Sequence, residues 1–155
     1  MLMKFLSILI LSLSILGCSD DNCNPEIKSY RFYDGQLNVD TSLFIGFEII
    51  ESNNLVFEYA VIGEECEDIN DDERSMRILF QLEVDSIVIN ASNKEITSIY
   101  RDSGAWSNYT YVITTSSVKA IRESDDRYKI EAKFTYEDIS GDEVEIEINE
   151  DFVME

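Results

Sequence analysis

The sequence predicts an all-β domain, and three observations carry that prediction. Apolar and β-branched runs recur between turn signals along most of the chain. Two neighbouring segments near its end alternate strictly between apolar and polar residues. No long segment shows the 3.6-residue period of a helix.

Taken in order, strands are expected at residues 29–33, 43–50, 55–62, 76–84, 87–91, 96–100, 109–115, 118–123, 128–136 and 143–148. Turn chemistry separates them at Asp34-Gly35, Ser52-Asn53-Asn54, Ser103-Gly104, Asp125-Asp126 and Ser140-Gly141. In 43–50 and 55–62 apolar residues fall on both faces, interrupted by Glu48 and Glu58, as in strands central to a packed structure. Ile78, Phe80, Leu82 and Val84 share one face opposite Arg77, Gln81 and Glu83, and Leu79 breaks the alternation.

The last hairpin also has a readable register. Tyr128, Ile130, Ala132, Phe134 and Tyr136 alternate with Lys129, Glu131, Lys133 and Thr135, and Val144, Ile146 and Ile148 alternate with Glu143, Glu145 and Glu147. A three-residue loop, Ile139-Ser140-Gly141, carries glycine where a bulged hairpin turn needs a left-handed residue. That loop sets Phe134 opposite Ile146 and Lys133 opposite Glu147, and a slip by one would set Phe134 opposite a glutamate. About ten short strands favour an antiparallel, immunoglobulin-like β-sandwich, with a closed lipocalin-like β-barrel as the alternative.

The N-terminus has a different character. After Lys4, residues 5–16 are apolar apart from three serines, a length that suits a signal-peptide core and falls short of the roughly 20 residues a membrane-spanning helix needs. Ile15-Leu16-Gly17-Cys18 follows, and it resembles the lipobox of bacterial lipoproteins. The resemblance implies that Cys18 is acylated, that residues 1–17 are a removed signal peptide, and that several acyl chains hold the protein at a membrane. Ser19-Asp20-Asp21-Asn22 resembles the acidic export segment of surface lipoproteins in Bacteroidota, which implies an outer-membrane, cell-surface location; a plain solvated tether on a periplasm-facing lipoprotein is the alternative. Asp85-Ser86-Ile87 is similar to the O-glycosylation triplet of the same bacteria. Residues 18–27 then form an acidic tether, and 28–155 a single β domain.

Composition narrows the function classes. The formal charge of −20 argues against nucleic acid and against anionic lipid surfaces, since phosphate binding needs clustered Lys and Arg. The sequence contains no histidine, which removes Ser-His and Cys-His nucleophile pairs and the usual imidazole base. No G-x-S-x-G, P-loop or G-x-G-x-x-G pattern occurs, and none of the many carboxylates stands out as a catalytic pair. No catalytic residue is assigned. With Cys18 given to lipid, an exported chain has Cys23 and Cys66 left to form one disulfide.

Two segments are candidate binding sites. The acidic run 64–73 offers Glu65, Glu67, Asp68, Asp71 and Asp72 as oxygen ligands for calcium. It is not an EF-hand, because Glu73 stands where that loop needs glycine and Leu79 where it needs glutamate. The aromatic turn 100–111 offers Tyr100, Trp106 and Tyr109 as flat faces for sugar rings; a solvated loop is the alternative for the acidic run and core packing for the aromatic turn. Together these features predict a surface-exposed outer-membrane lipoprotein whose β domain is a non-catalytic binding or display module for an extracellular glycan or protein. A glycan-binding module and a calcium-stabilised adhesion or assembly module are the specific alternatives.

Overall fold

A computed structural model of the chain describes residues 23–24, 26–40, 46–63, 65–66, 74–83, 86–104 and 107–155. Among the described residues lie ten strands: β1 (Cys23–Asn24), β2 (Ile27–Asp40), β3 (Gly46–Ile62), β4 (Glu65–Cys66), β5 (Ser75–Leu82), β6 (Val88–Ser92), β7 (Thr97–Gly104), β8 (Ser107–Ser124), β9 (Arg127–Glu137) and β10 (Glu143–Met154). A single 3-10 turn, Asn93–Glu95, joins β6 to β7. The all-β class read from the sequence is therefore the class of the fold.

Eight strands form one mixed sheet in the order β6-β8-β7-β5-β3-β2-β10-β9, and β9 also pairs with β8, so the hydrogen-bonded neighbours run round in a ring. Most pairs are antiparallel; the ring is completed by a short parallel pairing of Val153 and Met154 with Arg31 and Phe32. A separate two-stranded ladder pairs β1 with β4.

Alternation decides what the ring encloses. Phe32, Phe57 and Phe80 stand in one cross-strand row on β2, β3 and β5, and their rings meet at 5.5 and 5.3 Å between centroids. Side chains from the far strands reach the same point: Tyr128 lies 5.4 Å from Phe57, Phe134 5.1 Å from Phe80, and Phe152 5.9 Å from Phe57. Contact across the ring at this level means aromatic rings, close-packed as in any interior, fill the space between the strands.

The expected register of β9 and β10 is observed, with Phe134 opposite Ile146 and Lys133 opposite Glu147. Gly141 has φ of 86°, and Asp138 accepts hydrogen bonds from the Ser140 and Asp142 amides, which closes the loop.

Three boundaries differ from the sequence expectation, for one shared reason. Asp34-Gly35 and Ser52-Asn53-Asn54 were expected to end strands, and instead they bend a long hairpin. Between the pairs Asp34–Leu55 and Gln36–Ile50, β2 spends one residue and β3 spends four. The third, the break expected between strands 109–115 and 118–123, is crossed by β8 without interruption, beyond a register shift between Ile113 and Thr115. Turn residues mark any departure from regular pairing, so a bulge or kink carries the same signature as a chain reversal.

The bend has a purpose in packing. Val56, Leu79 and Ile99 point out of the ring and are at most 2 % exposed, because Leu37, Val39 and Phe47 from beyond the bend pack over them. Gln81 fastens the flap by accepting a 2.7 Å hydrogen bond from the Leu37 amide. Leu79, the residue that broke the sequence alternation, belongs to this second core. Within residues 55–62 the outward Val56 has the same origin, whereas Ile49, Ile50 and Ile62 remain 39 %, 43 % and 40 % exposed.

Gly35 sits at the bend, where an added Cβ would lie 2.8 Å from Ile49 Cγ2 and 3.4 Å from the Ile50 carbonyl oxygen. Gly35→Val is expected to lower unfolding free energy by about 1–3 kcal/mol through overpacking, read as a fall in the urea midpoint; an unchanged midpoint would mean that the bend relaxes freely.

Candidate functional site

One end of the ring is built from tyrosine. Tyr30, Tyr59, Ile78, Tyr100 and Tyr111 form a continuous cross-strand row on β2, β3, β5, β7 and β8, one step beyond the phenylalanine row. Tyr136 joins from β9, 4.3 Å from Tyr100 and 5.1 Å from Tyr111 between centroids. Tyr30 stacks on Tyr59 at 5.2 Å. Phenol rings suit this position because their bodies continue the core while their hydroxyls meet water or one another. Arg74 and Asp102 pair in a two-pronged contact at 3.0 and 2.6 Å. That hydrogen bond and charge hold the Arg74 guanidinium more firmly protonated than usual.

The three residues expected to stack on sugar rings are divided by this arrangement. Tyr100 is 2 % exposed and lies among Tyr111 and Tyr136, so its ring is spent on the interior. Burial, and then a hydrogen bond with Tyr136, raises its pKa well above the ordinary phenol value. Tyr109 is 42 % exposed and neighbours Tyr111 at 6.2 Å between centroids. Trp106 lies outside the described residues.

Of the expected calcium ligands, Glu67, Asp68, Asp71 and Asp72 lie outside the described residues, and Glu65 is placed through its backbone in β4. Among the described residues no group of three potential metal-ligating side chains comes together. Cys18 also lies outside the described residues. The backbones of Cys23 and Cys66 stand directly opposite each other in the β1–β4 ladder.

A second constellation was not anticipated. Glu58 points out of the ring between β2 and β5 and is 6 % exposed. Its Oε1 lies 3.5 Å from Arg31 Nη2 and 3.6 Å from Arg77 Nη1, and Arg31 also reaches Glu155 Oε1 at 2.6 Å. Two arginines share one buried oxygen that makes ion pairs but no hydrogen bond. Tyr33, half-buried beside them, has its pKa pushed up to about 12, by desolvation first and by the Glu58 charge second. The sequence signal was present: Glu58 is the lone acid in an otherwise apolar run.

The polar flank of β8, β9 and β10 holds a shallow depression of about 510 Å³ lined by Lys119, Glu131, Lys133 and Glu147 among others. Its charges pair within the flank, Lys119 with Glu131 at 3.2 Å and Lys133 with Glu145 at 2.6 Å, so little field is left to attract a charged partner.

Compared with protein-family models, with curated proteins and with solved structures, the chain matches none of them.

Tyrosine protonation couples the fold to alkaline pH. Raised folded-state values for Tyr33 and Tyr100 mean that stability is fully present below about pH 10 and declines above it, through about pH 12 for Tyr33. The urea midpoint is expected to fall as pH rises above 10, and Tyr33→Phe to fall less steeply; identical slopes would show that Tyr33 titrates as it does in the unfolded chain.

Proposed function

We propose that this chain is a lipid-anchored outer-membrane protein, acylated at Cys18, whose β domain is a non-catalytic binding or display module on the outer face of the cell. The observation that carries the reading is the lipobox-like Ile15-Leu16-Gly17-Cys18, placed five residues before the short strand β1, which pairs with β4. At about 3.3–3.6 Å per residue, the chain from Cys18 to Cys23 reaches at most about 18 Å. The tether is therefore short. β1 closely precedes β2 and β4 closely follows β3, at the tyrosine-lined end of the ring, so an anchor at Cys18 would lie nearest that end.

The filled interior supports an external mode of binding. A lipocalin-like carrier keeps a chamber for its ligand, and here Phe57, Phe80, Tyr128, Phe134 and Phe152 meet across the ring at that level. Partner recognition accordingly falls to the outward faces and to side chains such as Tyr109.

The anchor is tested by Cys18→Ala, which should abolish metabolic labelling with a palmitate analogue and move the protein from the membrane to the soluble fraction. Retention with labelling lost would point to a partner protein as the anchor, and unchanged labelling would defeat the reading.

We also propose that Cys23 and Cys66 are joined in the exported protein. Cross-strand partners in an antiparallel ladder have Cα atoms about 4.5–5.5 Å apart, within the range of about 4.4–6.8 Å that a disulfide spans. On the chain-entropy model, closing the loop between them adds about 4 kcal/mol. Reduction should increase the mass by two hydrogens and lower the urea midpoint; two thiols that alkylate freely in the native, unreduced protein would rule the bond out.

A further inference from the structure

On a chain with formal charge −20, three arginines gather on one outward face. Arg31 stands opposite Glu58 across β2 and β3. Arg77 on β5 stands opposite Ala60 on one side and opposite Arg101 on the other. Like charges directly opposite one another on neighbouring strands repel, and side chains so placed have Cβ atoms only about 4.5–5.5 Å apart. The pairing of Arg77 with Arg101 is thus an unfavourable choice that needs a compensating partner.

Glu58 compensates in part. Its buried carboxylate serves Arg31 and Arg77 through a single oxygen, at 3.5 and 3.6 Å. Among the described residues, Arg101 has a 3.1 Å hydrogen bond from its Nε to Ser103 Oγ and no ion pair. The Arg77 side chain is 49 % exposed. The hairpin folded over Leu79 and Ile99 forms a neighbouring wall, and Tyr33 contributes a hydroxyl that remains protonated at neutral pH.

We propose that Arg77 and Arg101, backed by Glu58 and Arg31, form a binding site for a compact oxyanion, a carboxylate or sulfate group carried by a small molecule such as a sugar acid. Guanidinium groups are planar forks that offer an oxyanion paired, directional donors lysine would not provide, and Arg77 and Arg101 occupy directly opposite positions on β5 and β7. The same charge balance selects for size. Repulsion from the acidic remainder of the protein is screened beyond about 8 Å at physiological ionic strength, so a small anion can approach the arginines while a long polyanion meets the whole negative field. Glu58 holds the Arg31 and Arg77 guanidinium groups at the surface and limits affinity by competing for Arg77. The site is independent of the lipid anchor.

The test is a titration of the purified protein followed by two-dimensional NMR, at fixed ionic strength, with sodium sulfate, sodium glucuronate, glucose and sodium chloride as separate probes. Saturable shifts with sulfate or glucuronate and none with glucose are expected. Binding of sulfate alone would mark a tetrahedral-anion site, and binding of glucuronate a sugar-acid site; either supports the proposal. The Arg77→Gln, Arg101→Gln double variant should weaken binding at least tenfold, Arg101→Gln alone should weaken it severalfold, and Lys94→Gln should change nothing. Glu58→Gln, if near-ultraviolet circular dichroism shows it folded, should strengthen binding severalfold, a result that a purely structural role for the cluster would not give. No saturable shift, equal shifts with chloride, or a double variant that titrates like the parent would overturn the proposal.

Discussion

Phe57 touches Phe32, Phe80, Tyr128 and Phe152, side chains drawn from four other strands, and this meeting of rings in the middle of the sheet is what the other elements are arranged around. Strand pairing alone gives a ribbon whose apolar face is wet. The ribbon curls because rings of this size, packed edge to face and face to face, remove more apolar surface from water when strands from opposite sides converge on them. Once the interior is committed to aromatic packing, two consequences follow. Polar recognition is displaced to the exterior, and the outward apolar residues Val56, Leu79 and Ile99 need a cover of their own, which the bent hairpin supplies.

What the sequence made legible was local and periodic. The β9–β10 register could be read because one glycine fixed the loop and a strict alternation left one pairing with apolar opposite apolar. The bend at Gly35 could not be read in the same way, since Asp-Gly and Ser-Asn-Asn describe a reversal as well as a kink. Leu79 was visible as an anomaly, yet its partner Leu37 lies 42 positions away, and no periodicity within a strand reports a contact of that range.

The binding candidates divide along the same line. An aromatic-rich turn was apparent, but composition does not tell Tyr100, enclosed by its neighbours, from Tyr109, which is exposed. Glu58 was apparent as an acid among apolar residues, and its meaning depended on which arginines the sheet would bring beside it. Arg31 and Arg77 flank it from two different strands, so only cross-strand register could name them. The acidic run that suggested calcium lies almost wholly outside the described residues.

The ring is joined between residues 31–32 and 153–154, and Arg31 grips Glu155 across 124 sequence positions. Loop-closure entropy makes such a contact among the slowest to form, so a chain of this topology folds late and all at once where a helical bundle would build up piecemeal. Until residues 153–155 arrive, β2 and β10 both keep an unpaired edge, and such edges are where chains stick to one another. The alternating glutamates of β10, set along the strand that waits longest for its neighbour, give that exposed edge the charge that keeps unfinished molecules apart.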